Sequence, residues 1–222
     1  MLNVDASYVH CTYFLKGNKV DHIEKVGDLV ITSGKLCACD PCYLEDKSRN
    51  QEMDLIVPTG IYPVLLDTKE HLLNIMFNPR GDIFFWEDIK FKRNGNPNSI
   101  DVDTGFYGFT DKDGINGINK NIKKGICPSD FYVEEGIKAM GKVSYNCSFE
   151  INIADSKNNF LCISTSFGDD VYTFQAGYNE SNKIDCISGC LLGEYSGIDL
   201  YLNSAKVPKK TIKHFIKLTE RI

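Results

Sequence analysis

The sequence predicts a mainly β protein of the α+β class, either an antiparallel β-sandwich or a partly open barrel, built as a single domain over residues 1–222. Short apolar segments alternate with turn residues along most of the chain, which is the pattern of strands. The 13 phenylalanines and 11 tyrosines also favour strands over helices. Single β domains often reach this length, so one domain is sufficient for the whole chain.

Residues 1–205 are predicted to form the β core. Turn residues at Ser33-Gly34 and at Pro58-Thr59-Gly60 favour hairpins, and a third connection is expected at 78–81. Pro63 lies inside a predicted strand and indicates an edge or a bulge, because proline cannot donate to a ladder. The strands predicted for the first half are 7–15, 28–32, 35–39, 54–57, 61–68, 71–77 and 82–91.

The second half begins with the strand-like segment 102–111, followed by a Gly-, Asn- and Lys-rich stretch at 112–125 that predicts an exposed connection without a core. A short helix is expected near 129–140, capped by Ser129 or Asp130. A C-terminal helix at 208–221 is indicated by a proline at its start and apolar residues near 3.6 spacing. The further predicted strands are 142–154, 158–166, 171–178 and 184–192.

Charge and composition narrow the choice of partner and compartment. The formal net charge of -5 provides no general basic field for a phosphate backbone, so nucleic acid is not an expected partner. An acidic surface suits a basic protein partner, or it serves solubility alone. The sequence shows no secretory signal and no apolar run long enough to cross a membrane, which predicts a soluble cytoplasmic protein. In that reducing compartment most of the nine cysteines are expected to be buried apolar residues.

The stretch from Leu36 to Asp46 holds three cysteines and an Asp-Pro pair and allows three interpretations. Zinc would require Cys39 and Cys42 to meet a second pair, Cys186 and Cys190, whose spacing along a strand is too long for one metal. A thioredoxin-like redox site would require a helix after the Cys-x-x-Cys, and the following residues lack a helical apolar stripe. The favoured interpretation is a strand that ends in an Asp-Pro turn, with cysteines in the core.

Three segments place an aspartate where a strand meets a turn, and they contain the candidate site residues Asp40, Asp103, Asp169 and Asp170. If these carboxylates met at one end of a sheet, they would suit Mg²⁺ or Ca²⁺, or acid–base catalysis with one raised pKa. Tyr43 and Tyr172 would then orient a substrate. The alternative is that aspartate and glycine simply form the turns.

The sequence does not match the motifs of two common ligand sites, the EF-hand calcium loop and the glycine-rich phosphate-binding loop. A calcium loop starting at Asp111 has Asn116 where glycine is needed and Ile122 where glutamate is needed, so it fails as an EF-hand. Walker and dinucleotide-binding glycine motifs are absent from the sequence. The histidines are far apart along the chain and share no short motif. They are His10, His22, His71 and His214.

Four motifs in order, "SGKLCACDP", "VPTGIYPVLL", "VDTGFYGFTD" and "SFGDDVYTFQAGYN", resemble the mostly bacterial domain-of-unknown-function family DUF 4241 over roughly residues 33–192. The family pattern matches Cys39-Asp40-Pro41, 60–64, Asp103 with Gly105, and Gly168-Asp169 with Tyr172 and Gly177. Asp170 departs from it, because members commonly have a second glycine there. The resemblance brings no established reaction. It implies a soluble bacterial or phage-related protein, and relatives found beside polymorphic toxins make an immunity role an expectation by analogy.

Three functions follow as hypotheses. The first is a cytoplasmic, non-enzymatic binding protein that neutralises a basic partner such as a toxin by occluding it with acidic and aromatic groups. The second is a metal-dependent hydrolase of a phosphorylated or nucleotide-like small molecule, with the four aspartates holding the ion. The third is a structural component of an assembly, which predicts stable homo-oligomers.

Overall fold

The computed structural model describes residues 3–44, 51–79, 82–92, 98–125, 148–165 and 168–192. The helices predicted near 129–140 and at 208–221 lie outside these residues. The fold class is confirmed: the described chain is mainly β, with two antiparallel sheets, two helices and no closed barrel. The described part of the chain contains no helix that is long and apolar enough to cross a membrane.

The elements follow one another in a simple order along the chain. A short 3-10 turn, Pro41–Tyr43, follows the second strand. The helices and strands are α1 (Val4–Leu15), β1 (Ile23–Ile31), β2 (Leu36–Cys39), β3 (Gln51–Glu52), β4 (Gly60–Asp67), β5 (Leu72–Met76), β6 (Phe85–Asp88), β7 (Ser99–Val102), β8 (Phe106–Asp111), α2 (Lys112–Lys123), β9 (Ser148–Asn152), β10 (Asn159–Ser164), β11 (Asp170–Tyr178) and β12 (Ile184–Cys190).

The strands form two sheets that enclose the main core. The first sheet has the order β1-β4-β5-β12-β11-β6, with β7 paired to the other half of β11, and the second has the order β3-β2-β8-β10-β9. The largest core cluster draws buried residues from both sheets, so it lies between them. Its centre is a set of aromatic rings in edge-to-face contact, which aromatic pairs prefer over face-to-face stacking. They are Tyr107, Phe109, Tyr172 and Phe174.

A helix covers the outer face of each sheet. Tyr8 and Cys11 of α1 join Leu65, Met76 and Cys186 in a cluster on the first sheet. Ile115 and Ile118 of α2 join a separate cluster on the second sheet, with Cys37, Cys39, Phe160 and Cys162. The described chain is therefore layered as helix, sheet, sheet, helix, because each sheet has two apolar faces to bury.

The predicted strand at 7–15 is wrong, since this segment lies in α1. Asn3 caps the helix by accepting a hydrogen bond from the backbone N–H of Ala6 at 3.0 Å. The buried residues Val4, Tyr8 and Cys11 recur every three or four positions, which is the helical period. The aromatic and β-branched residues of this segment favour a strand locally, and packing of one face on the sheet outweighs that preference.

The predicted exposed connection at 112–125 is also wrong, because most of it forms α2. The side chain of Asp111 caps this helix by accepting from the backbone N–H of Asp113 at 2.9 Å. Gly114 and Gly117 lie inside the helix, and a Cβ on Gly114 would clash with the Thr110 side chain. These glycines permit close packing of the helix on the sheet and do not mark a loop.

Several predicted hairpins join strands that the structure separates. Strands β1 and β2 flank Ser33-Gly34 but belong to different sheets, and β5 and β6 are separated by β12 and β11. Residues 54–57 form no strand. The hairpins that do form join β4 to β5, β9 to β10 and β11 to β12. Pro63 lies in an interior strand, but β5 pairs with β4 only from Val64 to Asp67, so Pro63 lies beyond that ladder.

Candidate functional site

The aspartate turns predicted from the sequence meet in the structure. Asp40 directly follows β2, and its buried carboxylate accepts three hydrogen bonds. Oδ1 accepts from the backbone N–H of Cys42 at 2.8 Å and from the Thr104 hydroxyl at 2.9 Å. Oδ2 accepts from the backbone N–H of Asp103 at 2.8 Å. Tyr43 adds a second link, because its hydroxyl donates to the Asp103 carboxylate at 2.5 Å.

The third turn, which contains Gly168 and Asp169, contacts the turn at Gly105 through the backbone. The carbonyl oxygen of Gly105 accepts from the backbone N–H of Thr165 at 2.8 Å. The Thr165 hydroxyl accepts in turn from the N–H of Gly168 at 3.0 Å. Gly105 has a φ of +70°, and a Cβ there would lie 3.4 Å from the Cα of Gly168. The buried Tyr172 hydroxyl donates to the carbonyl of Gly168 at 2.8 Å, and Asp170 pairs with Val102.

Hydrogen bonds to the Asp40 carboxylate hold the first two of these turns together and occupy both of its oxygens. Burial raises the pKa of Asp40, although the hydrogen bonds from Cys42, Asp103 and Thr104 oppose this. Burial also raises the pKa of Tyr172, so its hydroxyl remains a donor. Asp169 is exposed. None of these aspartates belongs to a group of three potential metal ligands within 4.8 Å among the described residues. Their role in Mg²⁺ or Ca²⁺ binding stays a prediction.

Cys39 and Cys42 do not share a cluster with Cys186 or Cys190, the pair that a zinc site would need. Cys39 is buried between the second sheet and α2, whereas Cys186 is buried under α1. Burial raises the pKa of both thiols and keeps them protonated. The structure supports the interpretation of these cysteines as core residues.

A cluster of potential metal ligands that the sequence did not reveal lies between α1 and the first sheet. His10 Nδ1 is 3.1 Å from His22 Nε2 and 3.7 Å from Asp67 Oδ2. The two rings meet edge to face, with centroids 4.7 Å apart. The Asp67 side chain is fully buried, while that of His10 is 31% exposed. The cluster therefore lies at the surface with its carboxylate on the inner side.

The sequence carried no short signal for this cluster. His10 lies on α1, His22 immediately precedes β1, and Asp67 ends β4. Strand pairing places Ile23 opposite Asp67, which brings the neighbouring His22 close to the carboxylate. His10 reaches them only because residues 4–15 form a helix on this sheet. Because residues 7–15 were predicted to form a strand, the sequence offered no reason to place His10 near His22 and Asp67.

A third feature is a group of exposed aromatic and acidic residues on β6 and just before it, on both faces of the strand, which we call the β6 patch: Asp82, Phe84, Phe85, Glu87 and Asp88. Phe84 is 74% exposed and Phe85 is 39% exposed. The three acidic residues are exposed as well. Among the described residues β6 pairs with β11 alone, so it forms the end of the first sheet.

Packing fixes the shape of the β6 patch. Phe85 stacks on Tyr178 of β11 with ring centroids 4.8 Å apart and planes at 10°. Glu87 lies opposite Ala176, and such partners face the same side of a sheet. Ala176 is buried while Glu87 is exposed. The described residues that pack on this face of the sheet therefore cover β11 at this point but not β6. On the other face, the Trp86 indole donates to the Asp5 carboxylate of α1 at 2.7 Å.

No family model, curated protein or solved structure matches the chain. The resemblance to the DUF 4241 family stays a prediction, so any proposal about function rests on the geometry of these sites.

Proposed function

We propose that this chain is a non-enzymatic, cytoplasmic binding protein that uses the β6 patch to bind and occlude a basic protein partner, as a toxin-neutralising protein does. The observation that carries the proposal is the exposure of Phe84 and Phe85 at the start of an end strand, with three exposed carboxylates close by in sequence. Neighbouring exposed aromatic side chains are rare on surfaces that have no partner and common at the centres of protein interfaces.

The aromatic side chains supply the anchors. Phe84 contacts Phe85 edge to face, with centroids 6.4 Å apart, and Phe85 is held by its stacking on Tyr178. Rings that are already ordered lose little conformational entropy when a partner covers them. Burial and then the nearby Glu87 raise the pKa of Tyr178, so this ring stays uncharged. The centre of the interface is therefore apolar.

The acidic side chains supply the preference for a basic partner. Asp82, Glu87 and Asp88 flank the two phenylalanines along the chain and are exposed, and the whole chain carries a net charge of -5. Complementary charge at the rim of an interface mainly raises the association rate and excludes acidic competitors. Both effects weaken as salt screens the charges.

The strand edge offers a further means of binding. Among the described residues the backbone of β6 has a strand partner on one side only. An extended segment of the partner adding to this edge would gain main-chain hydrogen bonds in register with the aromatic contacts. Free thiols at buried cysteines such as Cys11 and Cys162 support the cytoplasmic part of the proposal, because disulfides are rare there.

The test compares capture by three immobilised proteins in a lysate of the source cells, followed by titration with the purified partner. The first is the wild type, the second is the double variant Phe84→Ser/Glu87→Lys, and the third is the control Ile56→Ser. Ile56 is 66% exposed but lies outside the β6 patch. We expect a basic protein to bind the wild type and the control, with at least tenfold weaker binding to the double variant. The affinity of this basic partner for the wild type should fall as the salt concentration rises.

Other outcomes would contradict the proposal. Equal capture by all three proteins would show that the β6 patch is not the interface. A homo-oligomer that the double variant dissociates would favour the structural hypothesis. If a basic partner is found, its co-expression tests neutralisation directly: growth should be restored by the wild type and not by the double variant. Equal thermal melting of the variants excludes unfolding as the cause.

A further inference from the structure

We propose that His10, His22 and Asp67 bind one divalent first-row transition metal ion, with Zn²⁺ as the representative of the class. The three residues offer two imidazole nitrogens and one carboxylate oxygen that all lie within 4.8 Å of one another. This donor set suits zinc and its neighbours and not the hard cations Mg²⁺ and Ca²⁺, which prefer oxygen ligands. The proposal is independent of the β6 patch.

The distances match the geometry of a shared metal. Bonds of about 2.0–2.1 Å at tetrahedral angles separate neighbouring ligand atoms by roughly 3.3 Å. His10 Nδ1 lies 3.1 Å from His22 Nε2 and 3.7 Å from Asp67 Oδ2. The remaining pair, His22 and Asp67, lies within 4.8 Å, so one cation could bind all three atoms once the side chains adjust. Three protein ligands leave a fourth position for water, as in catalytic zinc sites.

One oxygen of the Asp67 carboxylate, Oδ2, has no hydrogen-bond partner among the described residues. A proton shared between His10 Nδ1 and His22 Nε2 gives one hydrogen bond at 3.1 Å, whichever ring carries it. Asp67 Oδ2 gains nothing from this, because 3.7 Å is too long for a hydrogen bond. It is buried and has no hydrogen-bond partner among the described residues. A buried carboxylate oxygen without a donor is costly, and a metal cation would satisfy it together with both nitrogens.

The surrounding backbone holds the ligands in place. The other carboxylate oxygen of Asp67, Oδ1, accepts from the backbone N–H groups of Lys69 at 3.0 Å and Glu70 at 2.9 Å. The carbonyl of His22 accepts from the backbone N–H of Thr68 at 2.9 Å. Hydrogen bonds of this kind orient the groups that bind a metal. The Asp67 carboxylate is therefore oriented before any ion binds, the backbone of His22 is anchored beside it, and α1 supplies His10.

The test uses the full chain, stripped with EDTA, kept reduced and titrated with CoCl₂ and then ZnCl₂. Co²⁺ bound by nitrogen and oxygen gives visible d–d absorption without the near-ultraviolet charge-transfer band of thiolate ligands, so it separates this site from the cysteines. We expect one Co²⁺ per chain, displaced by Zn²⁺, and a rise in melting temperature. The variants His10→Ala and His22→Ala should each bind at least about tenfold more weakly.

The matched control is His71→Asn, which removes an imidazole outside the cluster. His71 has a φ of +53°, and asparagine tolerates that conformation. This control should bind Co²⁺ like the wild type. Unchanged affinity in His10→Ala, or a thiolate charge-transfer band, would overturn the proposal. Because the His10 ring is partly exposed, its replacement tests binding even if substitution of the buried Asp67 unfolds the chain.

Discussion

The carboxylate of Asp40 accepts a hydrogen bond from the backbone N–H of Asp103 at 2.8 Å, across 63 positions of sequence. The same carboxylate holds Thr104 and its own turn at Cys42. A residue that the sequence singled out for chemistry thus joins the end of β2 to the turn between β7 and β8. Its contribution to stability can be measured apart from any catalytic role.

Replacing Asp40 should destabilise the fold without a change in its outline. In Asp40→Ala, three donors lose their acceptor inside the protein, which should lower the free energy of unfolding by about 3 kcal/mol. Asp40→Asn keeps one acceptor oxygen of similar shape and should cost roughly half as much. Urea denaturation of the two variants checks this. Equal stability of the alanine variant and the wild type would contradict a structural role.

The raised pKa of Asp40 gives a pH dependence with a definite sign. Burial is the main cause of the rise, so the folded state keeps the proton above the ordinary Asp pKa of about 3.9. From that pH up to the raised pKa, the folded state binds more protons than the unfolded state, and stability falls as pH rises. Asp40→Asn lacks this decline. Its deficit relative to the wild type should therefore shrink with rising pH, and a deficit that grows would refute the assignment.

Gly114→Ala should destabilise α2, although alanine favours helices. A Cβ at this position meets the side chains of Thr110, Ile153 and Asn158. We expect a loss of about 1–3 kcal/mol from overpacking. The control is Asn116→Ala on the exposed face of the same helix, where helix propensity alone should raise the free energy of unfolding by about 0.5 kcal/mol. A gain in both variants would show that this helix does not pack closely on the second sheet.

Gly105→Ala tests the contact between the second and third turns. With a φ of +70°, the alanine variant should lose about 1 kcal/mol, because a Cβ is unfavourable in this backbone conformation. Gly105→Asn should lose less, since asparagine adopts positive φ more readily. Thermal melting of both variants measures the difference. Equal losses would mean that contact with Gly168, and not backbone conformation, limits the position.

Local patterns in the sequence were sufficient for the fold class and for most strands. Residues 184–192 and 171–178 match β12 and β11 closely, because each has a run of apolar residues and clear turns. The sequence also identified the turns that contain Asp40, Asp103, Asp169 and Asp170, although it left open whether they meet. That meeting depends on two sheets packing together, and no local pattern records it.

Tertiary packing, and not the local sequence, determined which strands pair and that α1 and α2 are helices. The segment of α1 has the aromatic and β-branched residues of a strand, and α2 has the glycines of a loop, yet each buries one face on a sheet. Predicted hairpins failed because a turn fixes the direction of the chain but not the sheet that the next strand joins.

The sequence by itself determined a β-rich chain with acidic charge and aspartate turns, since these follow from residue type and short-range period. Only the tertiary structure decided that His10, His22 and Asp67 meet and that Phe84 and Phe85 lie exposed at the start of an end strand. The physical reason is that burial, strand order and contacts between distant residues are set by the packing of whole layers, which overrides local preference wherever the two disagree.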